Sequence, residues 1–189
     1  LKSKSAEVRI IGGQWKRSKL PVLDKPGLRP TPDRVRETLF NWLGQDLTGW
    51  RVLDAFAGTG ALGMEAASRG ASEVLLIEQD AQAVKQLQAN VQRLKATQVQ
   101  VRQGDALALM QAMPERSFDL VFLDPPYASD VFEAALARAA KLLGGGGCVY
   151  LEADRLVEPA WLDACGLQQI KHLKAGAVHA HLLGAGGNV

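Results

Sequence analysis

Cysteine is scarce in this chain, and so is any long apolar run. Cys148 and Cys165 are its only cysteines, too few and too ordinarily placed for a disulfide framework or a zinc site, so two reduced thiols in a reducing, cytoplasmic compartment are expected. No apolar stretch approaches the roughly 18 residues that a membrane-spanning helix needs, which argues against a membrane partner. The first residues are polar and basic without an apolar segment behind them, so no secretory signal is read there. Histidine is equally sparse. His172, His179 and His181 lack a neighbouring carboxylate or cysteine pattern and are read as surface or edge-strand residues, so no metal is expected.

What is present is ordinary globular material with one asymmetry. A hydrophobic share of 47% and a charged share of 22% over 189 residues suit one full-sized core with a small appendage. Residues 1–36 hold ten Lys or Arg against three acids, a net of +7, so the remaining residues carry −5 of the overall +2. A basic arm on an acidic body fits a polyanion binder, because lysines and arginines gain by releasing counterions condensed on phosphates. A solvated tail that aids solubility is the plainer reading of the same charges.

The arm reads as two short strands, residues 8–11 and 14–20, around Gly12-Gly13, with Trp15 among Arg9, Lys16, Arg17 and Lys19. Residues 21–30 are loop by their proline and glycine content. Thr31 is the expected cap of a helix with Pro32 in its first position and Val35, Leu39, Phe40, Trp42 and Leu43 on its buried side. We divide the chain accordingly into a basic hairpin and loop, 1–30, and a main domain, 31–189. From Arg51 onward the pattern alternates. Strand candidates at 52–53, 74–77, 99–101, 120–123 and 148–151 are separated by helical periods at 61–69, 81–94, 106–110 and 131–142. That order implies βαβ units and a mostly parallel sheet covered on both faces. Residues 167–173 and 178–183, joined around Gly176, suit an antiparallel edge. Gly144 to Gly147 read as a turn before the strand at 148.

Acidic residues recur where these strands end. Asp54-Ala55-Phe56-Ala57-Gly58-Thr59-Gly60 leaves one strand and opens a helix, where glycines let a ligand approach the backbone. Gly58, Gly60 and Gly63 also satisfy the dinucleotide pattern G-x-G-x-x-G, so a nicotinamide oxidoreductase competes. Against it, Asp54 would repel a pyrophosphate but suit a sulfonium centre such as that of S-adenosylmethionine. Glu78, 24 residues on, can accept from a ribose diol, and Asp105 can accept from an adenine amino group or cap the helix that follows it. Asp124-Pro125-Pro126-Tyr127 follows the apolar run at 120–123. Two prolines make a rigid extended turn with no backbone donors. The Asp124 carboxylate and the Pro125 carbonyl can accept from a planar amine while Tyr127 stacks on its ring; a proline-stopped strand with an exposed acid is the bland alternative.

These motifs resemble those of class I S-adenosylmethionine-dependent methyltransferases, and Asp124 to Tyr127 resembles the (D/N)-P-P-(Y/F) motif of enzymes that methylate exocyclic or amide nitrogens. Arg9 to Trp15, Gly27 to Thr31 and Asp33 to Leu43 resemble the start of the RsmD family of bacterial 16S rRNA guanine-N2 methyltransferases, and the resemblance runs from about Val8 to Leu183. It implies an α/β, Rossmann-like fold: a mostly parallel seven-stranded sheet with helices on both faces, an antiparallel edge and a small N-terminal β-hairpin. It implies S-adenosylmethionine held by Asp54, Phe56, Gly58, Thr59, Gly60, Glu78, Gln79, Asp105, Ala106 and Asp124. Asp124, Pro125 and Tyr127 would grip the guanine. Arg29 and Thr31 would cover the cofactor carboxylate or touch rRNA phosphate, a choice the residues leave open. Arg9, Trp15, Lys16, Arg17, Lys19 and Arg34 would contact rRNA, although for Trp15 core packing is at least as good a reading. The implied partner is 16S rRNA in the small ribosomal subunit, and a monomer is expected. One departure is His179-Ala180-His181, where relatives often carry an aromatic. Two rivals share the motifs: an adenine-N6 nucleic-acid methyltransferase, weakened by the lack of room for a target-recognition domain, and a non-catalytic rRNA-binding assembly factor. If the basic arm holds RNA, raising salt will weaken rRNA binding far more than cofactor binding; titrations of both ligands at two ionic strengths check this, and equal sensitivity refutes it.

Overall fold

A computed structural model describes residues 6–26, 28, 30–126 and 131–186. Two short strands come first, β1 (Glu7–Arg9) and β2 (Lys19–Pro21), paired antiparallel. Helix α1 (Asp33–Trp42) follows, and then the alternating series: β3 (Arg51–Asp54), α2 (Ala61–Ser68), β4 (Glu73–Glu78), α3 (Ala81–Arg93), β5 (Val99–Gln103), α4 (Ala106–Gln111), β6 (Phe118–Leu123), α5 (Val131–Leu142) and β7 (Leu143–Ala153). The chain closes with α6 (Pro159–Ala164), β8 (Leu167–Ala175) and β9 (Val178–Ala185).

The seven strands β3 to β9 lie in the order β5-β4-β3-β6-β7-β9-β8. The pairs β5-β4, β4-β3, β3-β6 and β6-β7 are parallel, and β9 runs antiparallel to both β7 and β8. This is the architecture expected from the alternation. Strands such as Leu120-Val121-Phe122-Leu123 are fully buried because both faces of the sheet are covered. Leu39 and Phe40 of α1, Met64 of α2 and Leu87 of α3 pack with Val52, Leu76 and Phe122 on one face. Met110 of α4, Phe132 and Leu136 of α5 and Leu162 of α6 pack with Leu53, Val121 and Val149 on the other.

Several local expectations need correction. The hairpin pairs over three residues per strand, and residues 10–18 form a long turn, because the glycine pair docks elsewhere: Gly13 at φ +78° approaches the Ser68 carbonyl so closely that a Cβ would sit 1.9 Å from it. Thr31 does not cap α1. Pro32 occupies that position without a side-chain hydrogen bond, and the Thr31 hydroxyl donates instead to Glu152 Oε1 at 2.9 Å. The four glycines from Gly144 lie inside β7 as an irregularity, where its register against β6 jumps between Phe118 and Leu120. The short α6 was not anticipated. Nor are the histidines loose surface groups: His172 lies on the edge strand β8, but His179 and His181 lie one strand in, on β9, and His181 is fully buried.

One polar group fastens the hairpin to the sheet domain. Glu65 of the buried helix α2 has no exposed surface, and its carboxylate accepts from the Ile11 N–H at 2.7 Å, the Gly12 N–H at 3.0 Å, Arg36 Nη1 at 3.3 Å and Arg69 Nε at 3.1 Å. Arg36 is 1% exposed and also donates to the Thr31 and Arg9 carbonyls and to Asp33. Removing the carboxylate strands two buried guanidinium groups and two N–H groups. Glu65→Ala is therefore expected to cost about 3–5 kcal/mol of stability and Glu65→Gln distinctly less. Denaturant unfolding checks this, and a loss under ~0.5 kcal/mol for the alanine variant refutes it.

Candidate active site

The order of the strands reverses between β3 and β6, and open α/β sheets bind their ligands in the crevice at that point. Asp54 ends β3 and Asp124 follows β6, so both stand at the reversal. The backbone after Asp54 turns back through Gly58 at φ +54° and Gly60 at φ +79°, a region where only glycine is unstrained. At Gly60 a Cβ would meet Leu87 at 2.5 Å, and at Gly63 one would meet Leu76 at 2.2 Å. The glycines thus serve the tight passage from β3 into α2. The Gly63 N–H donates to Asp54 Oδ2 at 3.0 Å and orients that carboxylate.

Glu78, at the end of β4, accepts from the Gly58 N–H at 2.9 Å through one oxygen and from the Gln79 and Asp80 N–H groups, each at 2.9 Å, through the other. The glycine loop therefore presents a carboxylate where a dinucleotide site would present free amides to phosphate. Asp105 caps α4 by accepting from the Ala108 N–H at 2.8 Å and faces the same cleft. A loop closes the cleft from the N-terminal side. Lys25 reaches Asp80 at 2.7 Å, Leu28 packs over Gly58, and Thr31 is tied to Glu152.

The result is a cleft of about 640 Å³, the size range of small-molecule and cofactor sites. Of the residues read from sequence, Thr31, Asp54, Phe56, Gly58, Thr59, Glu78, Gln79, Asp105, Ala106 and Asp124 line it. Gly60 does not line it; it shapes the loop from below. Pro125 is buried and is not among the cleft residues. Arg29 and Tyr127 lie outside the described residues. Arg34 is exposed on α1 and is not among the cleft residues.

Electrostatics decide which ligand suits this space. Five carboxylates, Asp54, Glu78, Asp80, Asp105 and Asp124, line it against the single cation Lys25 among the described lining residues, and Lys25 is paired with Asp80. Burial pushes the Asp54 carboxyl up to about 7 against the opposing Gly63 N–H, with the charges of Glu78 and Glu152 adding to the rise. Asp124 is raised as well, to about 8, by burial first and then by Glu152, Asp54 and a hydrogen bond to Glu152. A cationic ligand relieves this crowding and a pyrophosphate would worsen it. The arrangement fits a nucleoside with a sulfonium side arm: Asp105 and Glu78 at one end, Asp54 and Asp124 at the other.

Glu152 was missed in the sequence. It ends the buried run at 148–151 just as Asp54 and Glu78 end theirs, so the same strand-end rule would have found it. Its Oε1 accepts from Thr31 and, at 2.8 Å, from the Tyr150 hydroxyl, and it stands within hydrogen-bonding reach of Asp124. Lys25, Leu28 and Asp80 were missed too, because contacts between a proline-rich loop and a distant strand leave no periodic trace.

On the basic arm, Lys16 and Arg17 are exposed. Lys19 pairs with Glu7 at 3.2 Å and Arg9 with Asp33 at 3.6 Å, both through well-exposed side chains. A shallow depression lined by Arg9, Lys16, Arg17 and Glu37 opens beside the hairpin. Trp15 is half-buried against the core, and its backbone N–H donates to Ser68 Oγ at 3.0 Å. Packing is therefore its evident role.

Comparison with known proteins is consistent with this geometry. The family described as Conserved hypothetical protein 95 matches residues 8–184. The Escherichia coli protein named Ribosomal RNA small subunit methyltransferase D is 48% identical over 154 residues, which cover 80% of this chain and 77% of that protein. Its Haemophilus influenzae namesake is 43% identical, covering 79% and 80%. Among solved structures, the Escherichia coli protein yhhF superposes with a TM-score of 0.83 at 35% identity, covering 95% of this chain and 98% of that one. With the match spanning nearly all of the described residues, and the acidic cleft at the strand reversal suited to a sulfonium cofactor, this chain belongs to the Conserved hypothetical protein 95 family, the RsmD family of S-adenosylmethionine-dependent methyltransferases.

Proposed function

We propose that this chain transfers a methyl group to the exocyclic N2 of one guanine in 16S rRNA, acting in the cytoplasm on assembled or assembling small subunits. The observation that carries the reading is the placement of Asp124 directly after β6, in the same cleft as Asp54 and the glycine loop. A group gripped by Asp124 thus lies beside the methyl donor. The names of the relatives, small-subunit rRNA methyltransferases, support the polymer. The nitrogen rests on the resemblance of Asp124 to Tyr127 to amine-methylating motifs.

S-adenosylmethionine supplies an electrophilic methyl on sulfur. The protein's work is to make a poor nucleophile competent. An aryl amine spreads its lone pair into the ring. With one N–H donating to Asp124 and the other to the Pro125 carbonyl, the lone pair is directed out of the plane and the positive charge developing on nitrogen is stabilised. The proton released from N2 passes to Asp124. Glu152 acts as a positioning residue: fixed by Thr31 and Tyr150, it holds Asp124 in place and keeps its proton affinity high. Tyr127 supplies a stacking face, at roughly 1–3 kcal/mol for a base platform. The target base must leave its stack, which a loop permits at lower cost than a duplex. Arg9, Lys16, Arg17 and Lys19 of segment 1–30, with Arg34 just beyond it, hold the rRNA backbone, and segment 31–189 carries the catalytic residues.

Labelled S-adenosylmethionine supplied with undermethylated small subunits, free rRNA, duplex DNA and protein tests the reading. N2-methylguanosine in the small-subunit rRNA is expected, and label recovered as N6-methyladenine or in protein overturns it. Asp124→Ala should lower turnover by at least about 10²-fold while cofactor still binds, since it removes the group facing the developing charge. The pH dependence has a definite sign. Asp124 holds its proton up to about 8 in the free protein, so kcat/KM should rise as pH increases through that value. Glu152→Gln removes a neighbouring charge while keeping an acceptor for Thr31 and Tyr150, and should move the rise to lower pH. A profile unmoved by that change removes Glu152 from the mechanism.

A further inference from the structure

The end of the sheet farthest from β5 holds a cluster that the methyl-transfer reading does not use. β8 and β9 pair with His172 directly opposite His181. His179 stands two residues before His181 on β9 and so projects from the same face. The three rings converge, with centroids 4.9 Å apart for His172 and His181, 5.1 Å for His172 and His179, and 6.2 Å for His179 and His181. One ring nitrogen from each lies within 4.8 Å of the other two, and His172 Nε2 stands 2.9 Å from His179 Nδ1.

We propose that His172, His179 and His181 form a binding site for a divalent transition-metal ion, zinc being the best match. Zinc–nitrogen bonds of about 2.0–2.1 Å in tetrahedral geometry put ligand nitrogens about 3.4 Å apart. The observed separations bracket that value, so small ring rotations on a fixed backbone complete the set. Two cross-strand neighbours and an i, i+2 companion supply three ligands from rigid, paired strands, and a fourth position is left for water or an anionic oxygen. The ligands are ready to coordinate. None of the three rings is exposed: His181 is fully buried and His172 and His179 are half-buried. Of the facing nitrogens of His172 and His179 one donates and the other accepts; a metal ion takes both lone pairs once the donating ring's proton moves to that ring's other nitrogen, and no proton is lost.

Outer partners are in place as well. His181 Nδ1 lies 2.8 Å from Gln169 Oε1 and its Nε2 lies 3.3 Å from the Arg155 carbonyl. Coordination through one nitrogen leaves the other held, as ligating histidines usually are. Lys171 and Lys174 flank His172 in sequence, but both are exposed and their charges face water. The ion would brace the strand that carries Glu152, since Ala180 pairs with Glu152 and His181 with Leu151. The site departs from the sequence expectation of no metal because cross-strand register, not spacing, assembles it. It stands independently of the methyl-transfer reading.

The test uses the full chain without a histidine tag, stripped with chelator. Competition against a chromophoric chelator should show one equivalent of zinc bound, and cobalt(II) should give the intense visible bands of a four- or five-coordinate site. His172→Ala and His179→Ala should each weaken zinc at least as much as the roughly 10–100-fold that loss of an outer partner costs. Copper(II) resonance on the unaltered chain gives a reading that depends on no variant: coupling to several ring nitrogens is expected. Absence of stoichiometric binding, unchanged affinity in both variants, or a copper spectrum without nitrogen coupling overturns the proposal.

Discussion

The buried carboxylate of Glu65 is the constraint on which the placement of the other parts depends. It sits in a helix with no exposed face, where an unpaired charge would be intolerable, and it is neutralised only when α1, the hairpin turn and the end of α2 converge upon it. Arg36 extends that constraint to Thr31 and Arg9. The loop between β2 and α1 is thereby held at its α1 end, and Lys25, Pro26 and Leu28 within it line the cleft. Of the basic arm, Lys25, Pro26, Leu28 and Pro30 among the described residues form part of the cleft wall.

The second organising feature is charge of one sign. Carboxylates end β3 and β4 and follow β5 and β6, and a fifth lies near the end of β7. Backbone amides from the glycine loop and helix starts hold three of them: Gly63 for Asp54, Gly58 for Glu78 and Ala108 for Asp105. No backbone amide among the described residues is seen to hold Asp124 or Glu152, and the two carboxyls lean on each other where chemistry is proposed. The protein stores electrostatic cost at one rim of the sheet, and a cationic cofactor relieves it.

Legibility followed the range of the interactions. Acids at strand ends were readable because a buried strand announces itself as an apolar run, and its first polar residue then falls on the ligand-binding edge. Asp54, Glu78, Asp105 and Asp124 were found this way, and Glu152 was readable by the same rule. Thr31 was misread as a cap because its hydroxyl has a partner 121 residues away. Arg36 and Glu65 look like two more charges on helix faces; that they meet in the interior is a property of helix packing with no local signature. The convergence of the three histidines left no local trace for a related reason: pairing across β8 and β9 makes neighbours of residues that spacing rules keep apart.

The tether between Thr31 and Glu152 also orders events during synthesis. The loop that roofs the cleft leaves the ribosome early, yet the acceptor that pins it is made 121 residues later, about 6–24 s at bacterial elongation rates. The hairpin waits less, since Glu65 follows Ile11 by 54 residues, about 3–11 s. The partner that docks the arm is therefore made before the partner that closes the cleft. Until β7 emerges, the roof lacks its far anchor, and a partly made enzyme has a wall without a lid.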